Sequence, residues 1–469
     1  MKVLRWFFVC CLHSETFGQI DYSSCCSNFP DSTLCGCENE VIQCHNLIST
    51  PSLRQDRRCR VVDIRESYLP ITPFDFNHIQ TDRLILSNNH LNNSNIDPLA
   101  FNNLKDTLKE LVLSNNLLTS VPQAIKELNH LELLDLSGNP ISANSFDENV
   151  MRGIGDTLTD LRFGGPELTS WPSTLNHLQA LQKLTVTESV FTLMPFDAFH
   201  GFQGTLKELT IQHSQLSSIP LAVASLRYLE VLRFDDNHKV GNQGMQAPIV
   251  SGLLPYLYNV SLQADNITEF PQILGVFEKL KNVVLDRNNL KFVSDESAAS
   301  VNQTSSLSLR DSGLTRIPEA FQRIAALESL DLSINNIHSI DTKDLRQLVH
   351  LKTLLLNSNP ILYMSPNALS NNRMLERVEL KSTNLTKVPC AVKGLMLAHL
   401  HAGSSRNITV DLQFNQIQCT CELQWLHVAI TTMPSISLKI EGRCDTIEKA
   451  IQEYINDDLP ACPGGAKCS

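Results

Sequence analysis

One phrase returns along this chain at intervals of 23 to 28 residues. A fixed interval of that size constrains the fold more tightly than any composition does, because it means a stack of similar units. LKELVLSNNLL begins at Leu108, LELLDLSGNPI at Leu131, LQKLTVTESVF at Leu181 and LKELTIQHSQL at Leu206. LKNVVLDRNNL follows at Leu280, LESLDLSINNI at Leu327, LKTLLLNSNPI at Leu351 and LERVELKSTNL at Leu375. Weaker copies begin at Thr81, Leu158, Leu229, Leu257 and Thr304, and a damaged one lies between Leu397 and Ile417, for about fourteen in all.

Numbering each phrase from its first leucine, apolar groups recur at positions one, four, six and eleven. This spacing suits a short strand around positions three to five whose residues three and five face away from the leucine at four. Each unit buries only one side, by stacking on its neighbours, so the stack shares one continuous core. The phrase resembles the leucine-rich repeat, L-x-x-L-x-L-x-x-N-x-L. The resemblance implies an α/β leucine-rich-repeat solenoid, a curved horseshoe with a concave parallel β-sheet and disulfide-bonded caps.

Position nine is Asn at Asn89, Asn116, Asn139, Asn237, Asn288, Asn335, Asn359 and Asn415. An amide donates and accepts at once, which suits the backbone of a buried turn. Ser189, Ser214, Asp265, Ser312 and Thr383 are weaker substitutes, and Pro166 predicts a local irregularity. Repeats of 23 residues carry an apolar–Pro pair, such as Val121-Pro122, Trp171-Pro172 and Ile317-Pro318. A residue before proline is pushed out of the helical region, so these units return in an extended or turn-like path. Longer units, such as ISANSFDENVMRGIGDT at 141–157, have room for a helical turn. The repeat from Leu229 is the longest, and its DDNHKVGNQG (235–244) reads as a protruding loop.

The ends differ from the middle. MKVLRWFFVCCL places Lys2 and Arg5 before an apolar run, which predicts a secretory signal at 1–18. Repeats occupy 61–415, between cysteine-rich segments at 19–60 and 416–469. No later run is apolar over the ~18 residues of a membrane span. Beyond Cys10 and Cys11, six cysteines lie between Cys25 and Cys59, five between Cys419 and Cys468, and only Cys390 is internal. A stack exposes its core at both ends and needs caps, which disulfides can hold in an oxidising compartment.

CGCENEVIQC (35–44) resembles the N-terminal cap of secreted leucine-rich-repeat proteins, and NQIQCTCELQWL (415–426) with Cys444 and Cys462 resembles their C-terminal cap. That likeness implies Cys26–Cys37 and Cys35–Cys44 at one end, and Cys419–Cys444 with Cys421–Cys462 at the other. Cys25 could replace Cys26 in the first pair, and a further bridge is expected from the Cys25/Cys26 doublet to Cys59. Cys390 and Cys468 either pair together or offer a disulfide to another chain. In layout the chain is also similar to secreted arthropod-type members, including the non-catalytic leucine-rich subunit of decapod shrimp luciferase. It resembles the ectodomains of Toll-type receptors and neuronal guidance proteins too, without their membrane span or added modules.

A curved stack offers its concave sheet as an extended binding surface. Positions three, five, seven and eight supply Asp160, Arg162, Lys183, Glu208, His213, Arg233, Asp235, Asp236, Asp286, Arg287, Arg310 and Asp311 as candidate ligand contacts. Charge of both signs suits a protein partner. Tyr258 is the nearest aromatic anchor; Trp171 and Trp425 fall at core positions. Sequons at Asn92, Asn259, Asn266, Asn302, Asn384 and Asn407 suit a secreted glycoprotein. Asn266 and Asn384 are expected to be exposed, whereas a glycan on Asn259 would project from the sheet. RQDRRCR (54–60) forms a basic cluster that could hold a sulfated glycan.

Net charge is −11, from 38 basic and 49 acidic residues, which argues against a broad nucleic-acid footprint. No G-x-S-x-G, H-E-x-x-H or phosphate-binding loop occurs. His399 and His401 in HLH would share one side of a strand as a weak metal pair; no resident metal or cofactor is expected. The sequence therefore predicts a secreted, non-enzymatic protein that recognises an extracellular protein or glycan on its concave face. The alternative is a non-catalytic subunit that stabilises a secreted enzyme complex.

Overall fold

A computed structural model of the chain describes residues 21–27, 34–48, 56–245, 254–403, 406–463 and 468. The expected signal segment and Arg54 lie outside them. The described residues form a leucine-rich-repeat solenoid. Its spine is an 18-stranded sheet. The first two strands, Cys35–Glu38 and Val41–His45, pair antiparallel; every later strand is parallel to its predecessor, from Arg57–Arg65 to Ser437–Glu441.

The register explains the phrase. Leu111, Leu134, Leu161, Leu184, Leu209 and Leu232 stand opposite one another on successive strands, each at most 1% exposed. Their neighbours at positions three and five face the other side of the sheet. On the return path, Pro122, Pro172, Pro220, Pro271 and Pro318 sit in extended backbone, each at the start of a 3-10 turn. The longer unit at 141–157 carries the α-helix Glu148–Ile154, capped by the Asp147 carboxylate on the Asn149 and Val150 amides. Trp171 and Trp425 are core residues. Trp171 lies edge-on to Phe163, Phe191 and Phe199 and donates its indole N–H to the Ala198 carbonyl at 3.0 Å.

Position nine forms a ladder. Asn139 accepts from Leu118 N at 3.1 Å and donates to the carbonyls of Leu113 and Leu136 at 2.9 Å. Asn116, Asn288, Asn335 and Asn359 repeat this arrangement. It ties each turn to the previous one by side-chain to backbone hydrogen bonds. Where Pro166 replaces the amide, two glycines precede it and the turns touch directly. A Cβ on Gly164 would stand 1.7 Å from the Thr187 carbonyl, and one on Gly165 would stand 2.1 Å from that of Asn139.

Asp265 occupies the same rung with no exposure at all. It accepts from Asn237 N at 2.7 Å, but its second oxygen has no partner, where Asn288 donates to two carbonyls. Burial, with the nearby Asp235 and Asp236 charges, pushes this carboxyl up to about 9. It is therefore protonated at neutral pH.

Six disulfides close the ends: Cys25–Cys59, Cys26–Cys37, Cys35–Cys44, Cys390–Cys468, Cys419–Cys444 and Cys421–Cys462. Cys390 and Cys468 are bonded to each other, the first of the two alternatives open for them. The basic cluster is also partly internal. Buried Arg57 donates to the Cys25 and Ser27 carbonyls at 2.9 and 2.8 Å, and Arg60 pairs with Glu40 at 2.8 Å.

Two further expectations are overturned. HLH is not on a strand but ends the α-helix Ala391–His401. There His399 is buried with Nε2 3.0 Å from the Leu375 carbonyl, while His401 is exposed. Residues two apart on a helix point in nearly opposite directions, so the pair cannot share a metal. Nor is DDNHKVGNQG simply a protruding loop: Asp235, Asn237 and Val240 are buried and Gly241–Gly244 forms a helical turn.

Candidate binding face

The side of the sheet opposite the leucines carries the residues at positions three and five. Parallel register brings Asp160, Lys183 and Glu208 into one row at position three, and Arg162 and Arg233 into the row at position five. Because strands lie ~4.8 Å apart, side chains in a row lie within reach of one another.

Much of the expected charge is consequently satisfied within the chain. Arg162 forms a two-pronged pair with Asp160, at 2.8 and 3.2 Å, which raises the guanidinium pKa further. Lys183 lies 2.9 Å from Glu208, and Arg233 lies 4.0 Å from the same carboxylate. Arg287 pairs with Asp236 at 3.0 Å across two repeats. Toward the C-terminal end, Lys381 meets Asp411 at 3.0 Å and Arg377 pairs with Glu379. Such pairs fix side-chain positions more than they stabilise the fold, since exposed pairs contribute little.

Two of the expected contact residues, Asp235 and Asp286, have partners within the scaffold. At position seven, the strands have begun to part. Asp235 accepts from the Ser261 hydroxyl at 2.7 Å and the Gln263 amide at 2.9 Å. Asp286 does the same with Ser308 at 2.6 Å and Arg310 N at 2.9 Å. Burial raises both carboxyl pKa values against the opposing effect of these hydrogen bonds. Each aspartate thus continues the strand pairing by one rung with its side chain.

Position eight has a feature the sequence did not reveal. Asn88, Asn115, Glu188, His213, Asp236, Arg287 and Asp311 all have φ between 52° and 57°. This left-handed turn aims the side chain out along the rim. His213, Arg287 and Asp311 are exposed there, beside the sheet, and Arg310 is exposed at position seven. The asparagines and glycine of the early repeats (Asn88, Asn115, Gly138) were the available signal, since those residues tolerate positive φ.

Asn259 lies half-buried on the strand Asn259–Ser261, on the side where a glycan would stand over the sheet. Asn266 and Asn384 are exposed, as are Asn92, Asn302 and Asn407. The Asn92 oxygen caps a 3-10 turn by accepting from Ser94 N and Asn95 N. Tyr258 is 39% exposed at the margin of the sheet. Among the described residues, no helix is long and apolar enough to cross a membrane.

A family model described as "Leucine rich repeat" matches residues 79–141 and 278–337. The rat leucine-rich repeat and fibronectin type III domain-containing protein 1 is 32% identical over 105 residues, covering 22% of this chain and 13% of that protein. A human volume-regulated anion channel subunit is 28% identical over 188 residues, 39% of this chain and 23% of that protein. The chain thus spans less than a quarter of the length of either relative. Among solved structures, a chain of the Drosophila Toll–Spatzle complex superposes with a TM-score of 0.54 at 17% identity, covering 86% of this chain and 69% of that chain. A leucine-rich-repeat protein of Leptospira interrogans gives 0.51 at 21% identity, covering 79% and 92%. At these identities the likeness is one of fold.

Proposed function

We propose that this chain is a secreted, non-enzymatic recognition protein that binds another extracellular protein on the open face of its sheet. The observation that carries the reading is the row of strands itself. One face is sealed by leucines, while the other presents mixed charge held in fixed positions by pairing along the rows. A partner of complementary charge meets a preorganised pattern, which sets register and specificity. His213, Arg310 and Asp311 beyond the strand ends, with Lys183 and Glu208 at the strand starts, are its polar contacts. Six disulfides support an oxidising location. One solved structure of the same fold is that of the Toll–Spatzle complex.

The test is capture of partners from the native extracellular fluid by the purified chain, read by mass spectrometry. Arg233→Glu with Arg287→Glu should abolish capture of the specific protein while leaving the thermal midpoint nearly unchanged. Undiminished capture by that folded variant would place recognition elsewhere.

A further inference from the structure

The left-handed turn at position eight favours asparagine, aspartate and glycine, and many repeats supply them. Other repeats place Glu188, His213, Ala264, Arg287, Ser358 or Ser382 there, and two near the C-terminal end place a β-branched or bulky apolar residue there. Ile334 has φ 55° and Phe414 has φ 60°. A β-branched or bulky side chain is strained in this region, and strain of that kind persists where something else makes use of it. Burial does not compensate either residue: Ile334 is 39% exposed and Phe414 is 82% exposed.

Both residues stand in one column. The register Asp331, Leu355, Glu379, Asp411 at position five puts Ile334, Ser358, Ser382 and Phe414 in line at position eight. Backbone bonds confirm the alignment, from Ile334 N to Asn357 O at 2.7 Å, Ser358 N to Lys381 O at 2.7 Å and Ser382 N to Gln413 O at 3.1 Å. Three strand spacings separate the two apolar side chains, about 14 Å, with small hydroxyls between them. The neighbouring charges close on one another: Asn357 holds Glu379 at 2.7 Å, Arg377 pairs with Glu379, and Lys381 pairs with Asp411.

We infer that Ile334 and Phe414 are paired anchors of a docking rim for an extended, uncharged segment of a partner protein. The spacing selects the segment. An extended chain advances ~3.3 Å per residue, so apolar side chains about four residues apart, on one side of the strand, reach both anchors. Ser358 and Ser382 then face the polar backbone between them, and the charges flanking these two serines, Arg377 with Glu379 and Lys381 with Asp411, are already paired within the chain. This rests on the reading of the protein as a recognition module, and moves its apolar anchors from the central band to the C-terminal rim.

The test uses the full disulfide-bonded chain and a displayed library of random linear peptides. Selected peptides should share two apolar residues four apart. Ile334→Asn and Phe414→Asn should each weaken binding of a selected peptide by about tenfold or more. The same variants should raise the thermal midpoint by about 1–3 °C, because asparagine relieves the turn. Leu193→Asn, at an exposed apolar site on the return path, should leave peptide binding unchanged. Loss of binding together with a raised midpoint supports the rim. An empty selection, unchanged binding or a lowered midpoint overturns it. Peptides that instead depend on Arg233 would sink the rim while leaving protein recognition intact.

Discussion

Replacing Asp265 with asparagine should stabilise this protein, and the gain should grow with pH. In the folded chain its carboxyl is pushed from the usual 3.8 up to about 9, while in the unfolded chain it returns to the ordinary value. Between those two values the group is ionised when unfolded and protonated when folded, so folding takes up a proton. The stability it contributes is fully present below about pH 3.8 and is lost as pH rises toward 9. The slope is about 1.4 kcal/mol per pH unit, which amounts to a cost of about 4 kcal/mol at pH 7 relative to acid. Asparagine carries no such proton and supplies the missing donor to the ladder, as Asn288 does one rung on. Equilibrium unfolding in guanidinium at pH 5, 6, 7 and 8, wild type beside Asp265→Asn, measures the difference directly. The difference should widen by about 1.4 kcal/mol for each unit. A pH-independent difference, or a variant less stable than wild type at pH 7, would refute the protonated rung.

Other perturbations probe other parts of the structure. Asn139→Ala removes two donated hydrogen bonds and one accepted one from a buried site, and should cost about 2–4 kcal/mol in chemical denaturation. Gly164→Ala drives a Cβ into the Thr187 carbonyl and should cost on the order of 3 kcal/mol, whereas Gly204→Ala, with open space around it, should cost less than about 1 kcal/mol. Removing both Cys421 and Cys462 opens a link across 41 residues and should lower stability by about 4 kcal/mol, read as a lower denaturation midpoint. On non-reducing electrophoresis the wild-type chain should run without a covalent partner, since Cys390 and Cys468 are joined together.

What the sequence revealed and what it withheld have physical causes. The leucine phrase and the Asn ladder are legible because each depends on spacing within one unit, and stacking then repeats the result. The two-cysteine doublets near each end are equally local. Pro166 announced a distorted turn because proline cannot take the place of the amide. The charge pairing was not legible, because Arg287 meets Asp236 only after the register of three strands is known. Nor was the role of Asp235 and Asp286, whose partners come from the next repeat. HLH misled because alternation over three residues looks like a strand. The longer run AVKGLMLAHLH, with Ala391, Val392, Leu395 and Met396 buried, has the helical spacing that would have decided it.

The central claim is that the open face of the sheet is where a partner sits, and hydroxyl-radical footprinting of the chain with and without its captured protein tests it most directly. Protection should fall on Tyr258 at the sheet margin and on His213 beside the sheet, while Leu193 and Phe196 on the return path, 81% and 74% exposed, should react as before. Protection of Leu193 and Phe196 with Tyr258 and His213 unchanged would contradict it.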